Sequence, residues 1–160
     1  MEKHKQSNHG KTVVGYPDAE VITNQDLLEL ECDILAPCAL ENVITDENAD
    51  KIRTKVVVEL ANGPTTPGAD KTLYEKGIVV LPDVLANAGG VTVSCYEWQQ
   101  NLANERWSAE KVDGMLENTM RANTSRVLET AKQYSVNPRI GAYIVAIGRV
   151  AAKLRTIMLE

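Results

Sequence analysis

Residues 56 to 98 read VVVELANGPTTPGADKTLYEKGIVVLPDVLANAGGVTVSCYEW, and the fold turns on how that stretch is parsed. Two short apolar runs, 56 to 60 and 78 to 81, are bounded by turn residues. Between them Thr66 stands as a helix cap, Pro67 at the first helical position and Gly77 just past the end, the usual asymmetry of helix start and stop signals. The stretch reads as strand, helix, strand, a βαβ unit. Each strand is followed by a segment that carries an asparagine: Asn62 after the first, and Asn87, ahead of Gly89 and Gly90, after the second. Both segments fall at the carboxyl ends of parallel strands, where open α/β sheets place their ligands.

Upstream, the run at 32 to 37 (CDILAP) is the candidate for a third, buried strand, closed by Pro37. It leads through Asn42 to Thr45, which is expected to cap a helix over 46 to 53, with acids in its first turn and Lys51 and Arg53 in its last. Before it, Thr23 and Asn24 cap a short helix over 25 to 30, with Asp26 near its positive end. Residues 12 to 17 suit a short edge strand punctuated by Gly15 and Pro17, and residues 1 to 11 are too polar to pack and read as a disordered arm. Strands that alternate with helices imply a mostly parallel sheet.

Downstream of Gly90 the period becomes helical. A helix over 91 to 102 is expected to open on a tight Gly89-Gly90 turn, offering free N–H groups to an anion. Ser108 caps a long helix ending near Tyr134, with Val112, Met115, Leu116, Met120, Val127, Leu128 and Ala131 on one face. Asn137 and Pro138 start another, striped by Ile140, Tyr143, Ile144, Ile147, Val150, Ala151 and Leu154. Core packing is the plain reading of these stripes, and subunit contact the alternative.

Composition narrows the function. The chain of 160 residues suits one domain. A net charge of −5 with scattered basic residues argues against nucleic acid or an anionic membrane as partner, since either favours a clustered Lys/Arg face. No apolar run approaches the roughly 18 residues that span a bilayer, and the start MEKHKQSNHG has no signal-peptide core. A cytoplasmic protein is expected. Cys32, Cys38 and Cys95 form no CxxC pair, in keeping with reduced thiols. His4 and His9 lack a second ligand pair, so no metal site is expected.

Spacing alone stops at an α/β domain with asparagine-bearing loops at the ligand edge. The G-x-G-x-x-G turn that holds a pyrophosphate does not occur in the chain, nor does the acidic residue that would follow it to grip a ribose. Several ordered motifs go further. D-I-L-A-P-C-A-L-E-N at 33 to 42, E-L-A-N-G-P-T-T-P at 59 to 67 and L-P-D-V-L-A-N-A-G-G-V-T-V-S-C-Y-E-W-Q-Q-N at 81 to 101 closely resemble the nucleotide-binding domain of the hexameric glutamate dehydrogenases. The similarity extends through T-V-V-G-Y-P-D-A at 12 to 19, W-S-A-E-K-V at 107 to 112 and R-I-G-A-Y-I-V-A-I-G-R-V-A at 139 to 151.

The resemblance implies a partial Rossmann-like sheet over 12 to 104 that lacks its first βαβ, followed by helices over 105 to 160 packing on the same domain. It implies NAD or NADP as cofactor and L-glutamate and 2-oxoglutarate as substrate and product. The catalytic Lys and Asp are expected in an amino-terminal substrate domain outside the matched region, so the isolated chain is expected to be inactive. In the family the asparagines matching Asn62 and Asn87 lie beside the nicotinamide half of the cofactor, with Gly89 and Gly90 giving close approach. The serine matching Ser94 contacts the substrate's side-chain carboxylate. Asn42 is a further cofactor candidate. An amide offers both donors and an acceptor, which suits a carboxamide. The plainer roles are turn residues for Asn62 and Asn87, a local carbonyl bond for Ser94, and a loop or cap residue for Asn42.

Two other readings stand beside a glutamate dehydrogenase segment: a non-catalytic remnant or assembly module that binds nucleotide weakly, and part of a leucine- or phenylalanine-type dehydrogenase. Ser94 favours glutamate, because an apolar pocket has no use for a hydroxyl. Four residues depart from the family's usual pattern: Leu60, Gly68, Gly141 and Gly148. Leu60 is expected to crowd the cofactor loop, and the two helix glycines to loosen the carboxyl end by about 0.5 to 1 kcal/mol each. A sheet without its first unit exposes an edge and apolar surface, so a homo-oligomer is expected.

Overall fold

The computed structural model describes residues 14–17 and 19–158. In chain order they form α1 (Asn24–Leu28), β1 (Ile34–Leu35), a 3-10 turn (Ala49–Lys51), β2 (Val56–Val58), α2 (Pro67–Glu75), β3 (Val79–Leu81), α3 (Asp83–Ala86), α4 (Ala88–Ala103), α5 (Ala109–Tyr134) and α6 (Pro138–Met158). The strands pair in the order β1, β2, β3, all parallel, with Ile34 beside Val56 and Val56 beside Val79. The expected open α/β sheet is therefore present.

The βαβ unit forms for the reasons its sequence carries. Thr66 accepts from the Ala69 N–H at the start of α2, Pro67 needs no partner there, and Gly77 at φ 76° turns the chain back into β3. Period-two alternation then buries Val57 and Val80 on one face, against Ala69 and Leu73 of α2 and Ile44, Ala49, Ile52 and Ile78. Each such Leu, Ile or Val removed from water contributes about 1.5 to 3 kcal/mol. This core covers one face of the sheet. A smaller cluster of Leu85, Val127 and Ala142 joins α3, α5 and α6.

Several expectations need correction. Residues 46 to 53 are not an α-helix but a turn followed by the 3-10 turn. The expected cap does form, with the Thr45 hydroxyl accepting from the Glu47 N–H and the Asn48 side chain accepting from the Thr45 N–H at 2.8 Å and donating to the Val43 carbonyl at 2.9 Å. Lys76 then donates to the carbonyls of Ala49, Asp50 and Ile52, closing the segment after one turn. The strand within 32 to 37 exists but is not buried: Ile34 is 63% exposed, because β1 pairs only with β2 among the described residues. Thr12 and Val13 lie outside the described residues, and Val14 and Gly15 form a turn rather than an edge strand.

The helices correct two further points. The segment after β3 is not a loop ending in a tight turn. It is α3 followed at once by α4, with Gly89 and Gly90 in the first turn of α4 and neither at positive φ. In α6 the stripe is not core: Ile140, Tyr143, Ile147, Val150 and Leu154 are all exposed, and the core-facing residues are Gly141 and Ala142. Gly141 does not loosen the helix pair either. A Cβ there would stand 2.8 Å from the Val127 carbonyl oxygen and 3.0 Å from the Ala131 Cβ, so the glycine is what lets α5 and α6 approach.

Candidate functional site

The carboxyl ends of β2 and β3 bring the two predicted amides together. Asn87 Nδ2 donates to Asn62 Oδ1 at 2.7 Å, so the loop after β2 and the junction of α3 and α4 meet at one rim. Among the described residues neither Asn62 Nδ2 nor Asn87 Oδ1 has a hydrogen-bond partner, which leaves one donor and one acceptor side by side. The Asn62 loop turns through Gly63 at φ 55°, a left-handed conformation that favours glycine.

Asn42 reaches the same loop through its backbone. It sits at φ 52°, its N–H donates to the Gly63 carbonyl at 2.9 Å, and the N–H groups of Val43 and Ile44 both donate to the Pro64 carbonyl. No helix follows it, so its capping role is excluded. Leu60, 45% exposed, flanks the loop while its N–H and that of Ala61 donate to the Pro37 carbonyl. Those bonds extend the β1–β2 contact to the rim, where an apolar hollow of about 180 Å³ opens beside Leu27, Leu35, Pro37, Cys38 and Val43. A wider, shallow depression near Cys32, Asp33 and Lys55 lies at the opposite, amino-terminal edge of the strands, away from the asparagines.

Asn87, which caps α4, and residues 90 and 94 within it share one face at helical spacing. A Cβ on Gly90 would meet nothing within 4 Å, so the face between Asn87 and Ser94 is open, whereas Gly89 looks toward Leu116 on α5. Ser94 is exposed and bonds back to the Gly90 carbonyl at 3.2 Å. The glycines are thus permissive through their lack of a side chain, not through an unusual turn.

Sequence reasoning missed the most heavily bonded part of the rim. Arg139, at the start of α6, reaches Glu59 Oε1 at 2.7 Å and Asp70 Oδ1 at 3.2 Å through Nη2, and Asp83 Oδ1 at 3.2 Å through Nη1. The remaining carboxylate oxygens are also held: Glu59 Oε2 by the Asp83 N–H, Asp70 Oδ2 by Asn137 Nδ2, and Asp83 Oδ2 by the Gly63 N–H at 2.8 Å. Glu59 is fully buried, yet every oxygen has a donor, as buried polar groups require. Hydrogen bonds and Coulombic attraction from Glu59 and Asp70 outweigh the burial that would lower it and raise the Arg139 pKa, so it stays cationic throughout the working range. A hint was available: Glu59 ends a strand two residues after buried Val57, hence on the same face.

The sequence profile of the Glutamate/Leucine/Phenylalanine/Valine dehydrogenase family matches residues 1–156. The chain belongs to this family. Among individual relatives of this dehydrogenase segment, a glutamate dehydrogenase of Thermotoga maritima is 53% identical over 143 residues, covering 89% of this chain and 34% of that protein. The cryptic catabolic NAD-specific glutamate dehydrogenase of Bacillus subtilis is 49% identical over 136 residues, covering 85% of this chain and 32% of that one. The crystal structure of the hetero-hexameric glutamate dehydrogenase of Thermus thermophilus in its Leu-bound form superposes with a TM-score of 0.81 at 29% identity, covering 89% of this chain and 35% of that one. The chain therefore spans about a third of the length of these dehydrogenases. Among the described residues no helix is long and apolar enough to cross a membrane, and no cluster of His, Cys, Asp and Glu could hold a metal ion.

Proposed function

We propose that this chain holds the nicotinamide half of NAD or NADP in an enzyme that interconverts L-glutamate with 2-oxoglutarate and ammonia. The observation that carries the reading is the Asn62–Asn87 bond, which leaves Asn62 Nδ2 free to donate and Asn87 Oδ1 free to accept. A primary carboxamide presents the complementary acceptor and donor. When bound, the cofactor supplies the hydride acceptor. Asn62 and Asn87 fix the orientation of its ring, the open face at Gly90 admits it, and the backbone at Asn42 braces the loop. Ser94, one turn farther along α4, donates to the side-chain carboxylate of glutamate once released from the Gly90 carbonyl. The general acid and base come from polypeptide beyond the matched third, so the isolated chain binds without turning over.

The direct test is nicotinamide mononucleotide binding followed by ligand-observed NMR. Saturation transfer to the nicotinamide protons is expected, and Asn62→Ala or Asn87→Ala should weaken binding about 2- to 10-fold, the worth of one neutral hydrogen bond. Undiminished binding in both variants would overturn the reading. No 2-oxoglutarate amination is expected from the chain alone. Turnover would refute the assignment of acid and base elsewhere.

The same proposal includes a homo-oligomer. Exposed Ile140, Tyr143, Ile147, Val150, Leu154 and Ile157 alternate at three- and four-residue steps along α6, the spacing of a helix-pairing seam. The chain should self-associate at micromolar concentration in light scattering, and Leu154→Glu should return it to the monomer mass.

A further inference from the structure

We infer that Arg139 and Asp83 are positioning residues for the asparagine pair: the guanidinium on α6 fixes the Asp83 carboxylate, and Asp83 sets the distance between the two loops that carry Asn62 and Asn87. The inference rests on the proposed nicotinamide site for its functional meaning but not for its geometry.

Asp83 touches both sides of the pair at once. Its Oδ2 accepts from the N–H of Gly63, the residue after Asn62, at 2.8 Å, and its backbone carbonyl accepts from the N–H of Asn87 at 3.2 Å. A shift of Asp83 therefore moves both loops. Asp83 has little freedom to shift. Its own N–H donates to buried Glu59, and its Oδ1 accepts from the Val84 N–H at 2.8 Å and from Arg139 Nη1. The planar guanidinium reaches Glu59 with one nitrogen and Asp83 with the other, so Arg139 sets the separation of the β2 end from the α3 start.

Asp70 supplies the internal control. It bonds the same Arg139 and Asn137, but it lies on α2 and touches neither asparagine loop. A network that merely fastens α6 to the sheet would use Asp70 and Asp83 alike. A positioning network would not.

The test is a ligand-free ¹⁵N NMR comparison of the Gly63 amide and the Asn87 side-chain amide in the whole chain. Asp83→Asn cannot accept at both oxygens, and Arg139→Lys keeps the charge but replaces the two-nitrogen fork with one ammonium. Both variants should move the Gly63 and Asn87 signals toward free-amide positions, while Asp70→Asn leaves them in place. Arg139→Lys keeps the measurement available should Asp83→Asn fail to fold. Unmoved signals in Arg139→Lys, or equal movement in Asp70→Asn, would overturn the inference. The functional counterpart is a 3-fold or greater loss of nicotinamide mononucleotide affinity in Arg139→Lys with Asp70→Asn unchanged. If the amide signals respond as stated but the native chain binds no mononucleotide, the positioning stands and the proposed site falls. If the native chain binds and the signals do not respond, the reverse holds.

Discussion

Gly141→Ala tests whether the α5–α6 crossing is as tight as it looks. The added Cβ would sit 2.8 Å from the Val127 carbonyl oxygen, 3.0 Å from the Ala131 Cβ and 3.1 Å from the Ala131 nitrogen, where ordinary contact begins at 3.4 Å. Two of those three atoms are backbone, so no rotamer change relieves the clash and the helices must part by roughly half an ångström. Overpacking of this kind costs about 1 to 3 kcal/mol, against which Ala returns about 1 kcal/mol of helix propensity. The net expectation is a loss of up to about 2 kcal/mol, or a fall in Tm of up to about 8 °C for a chain of this size. Gly148 on the same helix is the matched control, because a Cβ there meets nothing within 4 Å. Gly148→Ala should stabilise by about 0.5 to 1 kcal/mol. Thermal unfolding by circular dichroism and urea titration both read the pair. Shifts of the same sign in the two variants would refute the reasoning.

Glu59→Ala should cost about 3 kcal/mol in urea titration, at the low end for breaking a buried ion pair because Arg139 keeps Asp70 and Asp83. Thr66→Ala removes the cap on the Ala69 N–H and should cost about 1 kcal/mol in the same titration. The Thr23 hydroxyl and backbone N–H both donate to Asp26 and hold its pKa below the ordinary 3.8. The capping contribution to α1 is thus complete above that ordinary value and disappears as pH falls through the lowered one. An NMR titration of Asp26 should show the depressed midpoint, and Thr23→Ala should bring it back up.

The parts of the fold legible in the sequence were those set by local rules. Thr66, Pro67 and Gly77 bracket α2, Ser108 caps α5, and the short apolar run bounded by turn residues marks β2, because each signal acts within a few residues. The failures came where distant groups supplied the bonds. Thr45 with acids behind it reads as a helix start, but the far-off Lys76 gathers the carbonyls of Ala49, Asp50 and Ile52 and ends the segment after one turn. Gly141 reads as a weak point in a helix until the Val127 carbonyl of another helix is set beside it. Neither partner could be inferred from spacing.

At the site the same division explains what was seen and what was not. Asn62 and Asn87 follow consecutive parallel strands, so strand order alone puts them at one rim, and the observed bond between them follows from that topology. Arg139 comes from a helix 80 residues beyond Glu59, with nothing in its local sequence to separate it from a surface arginine. An unpaired carboxylate buried where Glu59 lies would be costly, and Arg139 supplies the cation that offsets it. The asparagine rim and the carboxyl-terminal helix form one mechanical unit, so a change in how α6 packs reaches Asn62 through three hydrogen-bonded residues: Arg139, Asp83 and Gly63.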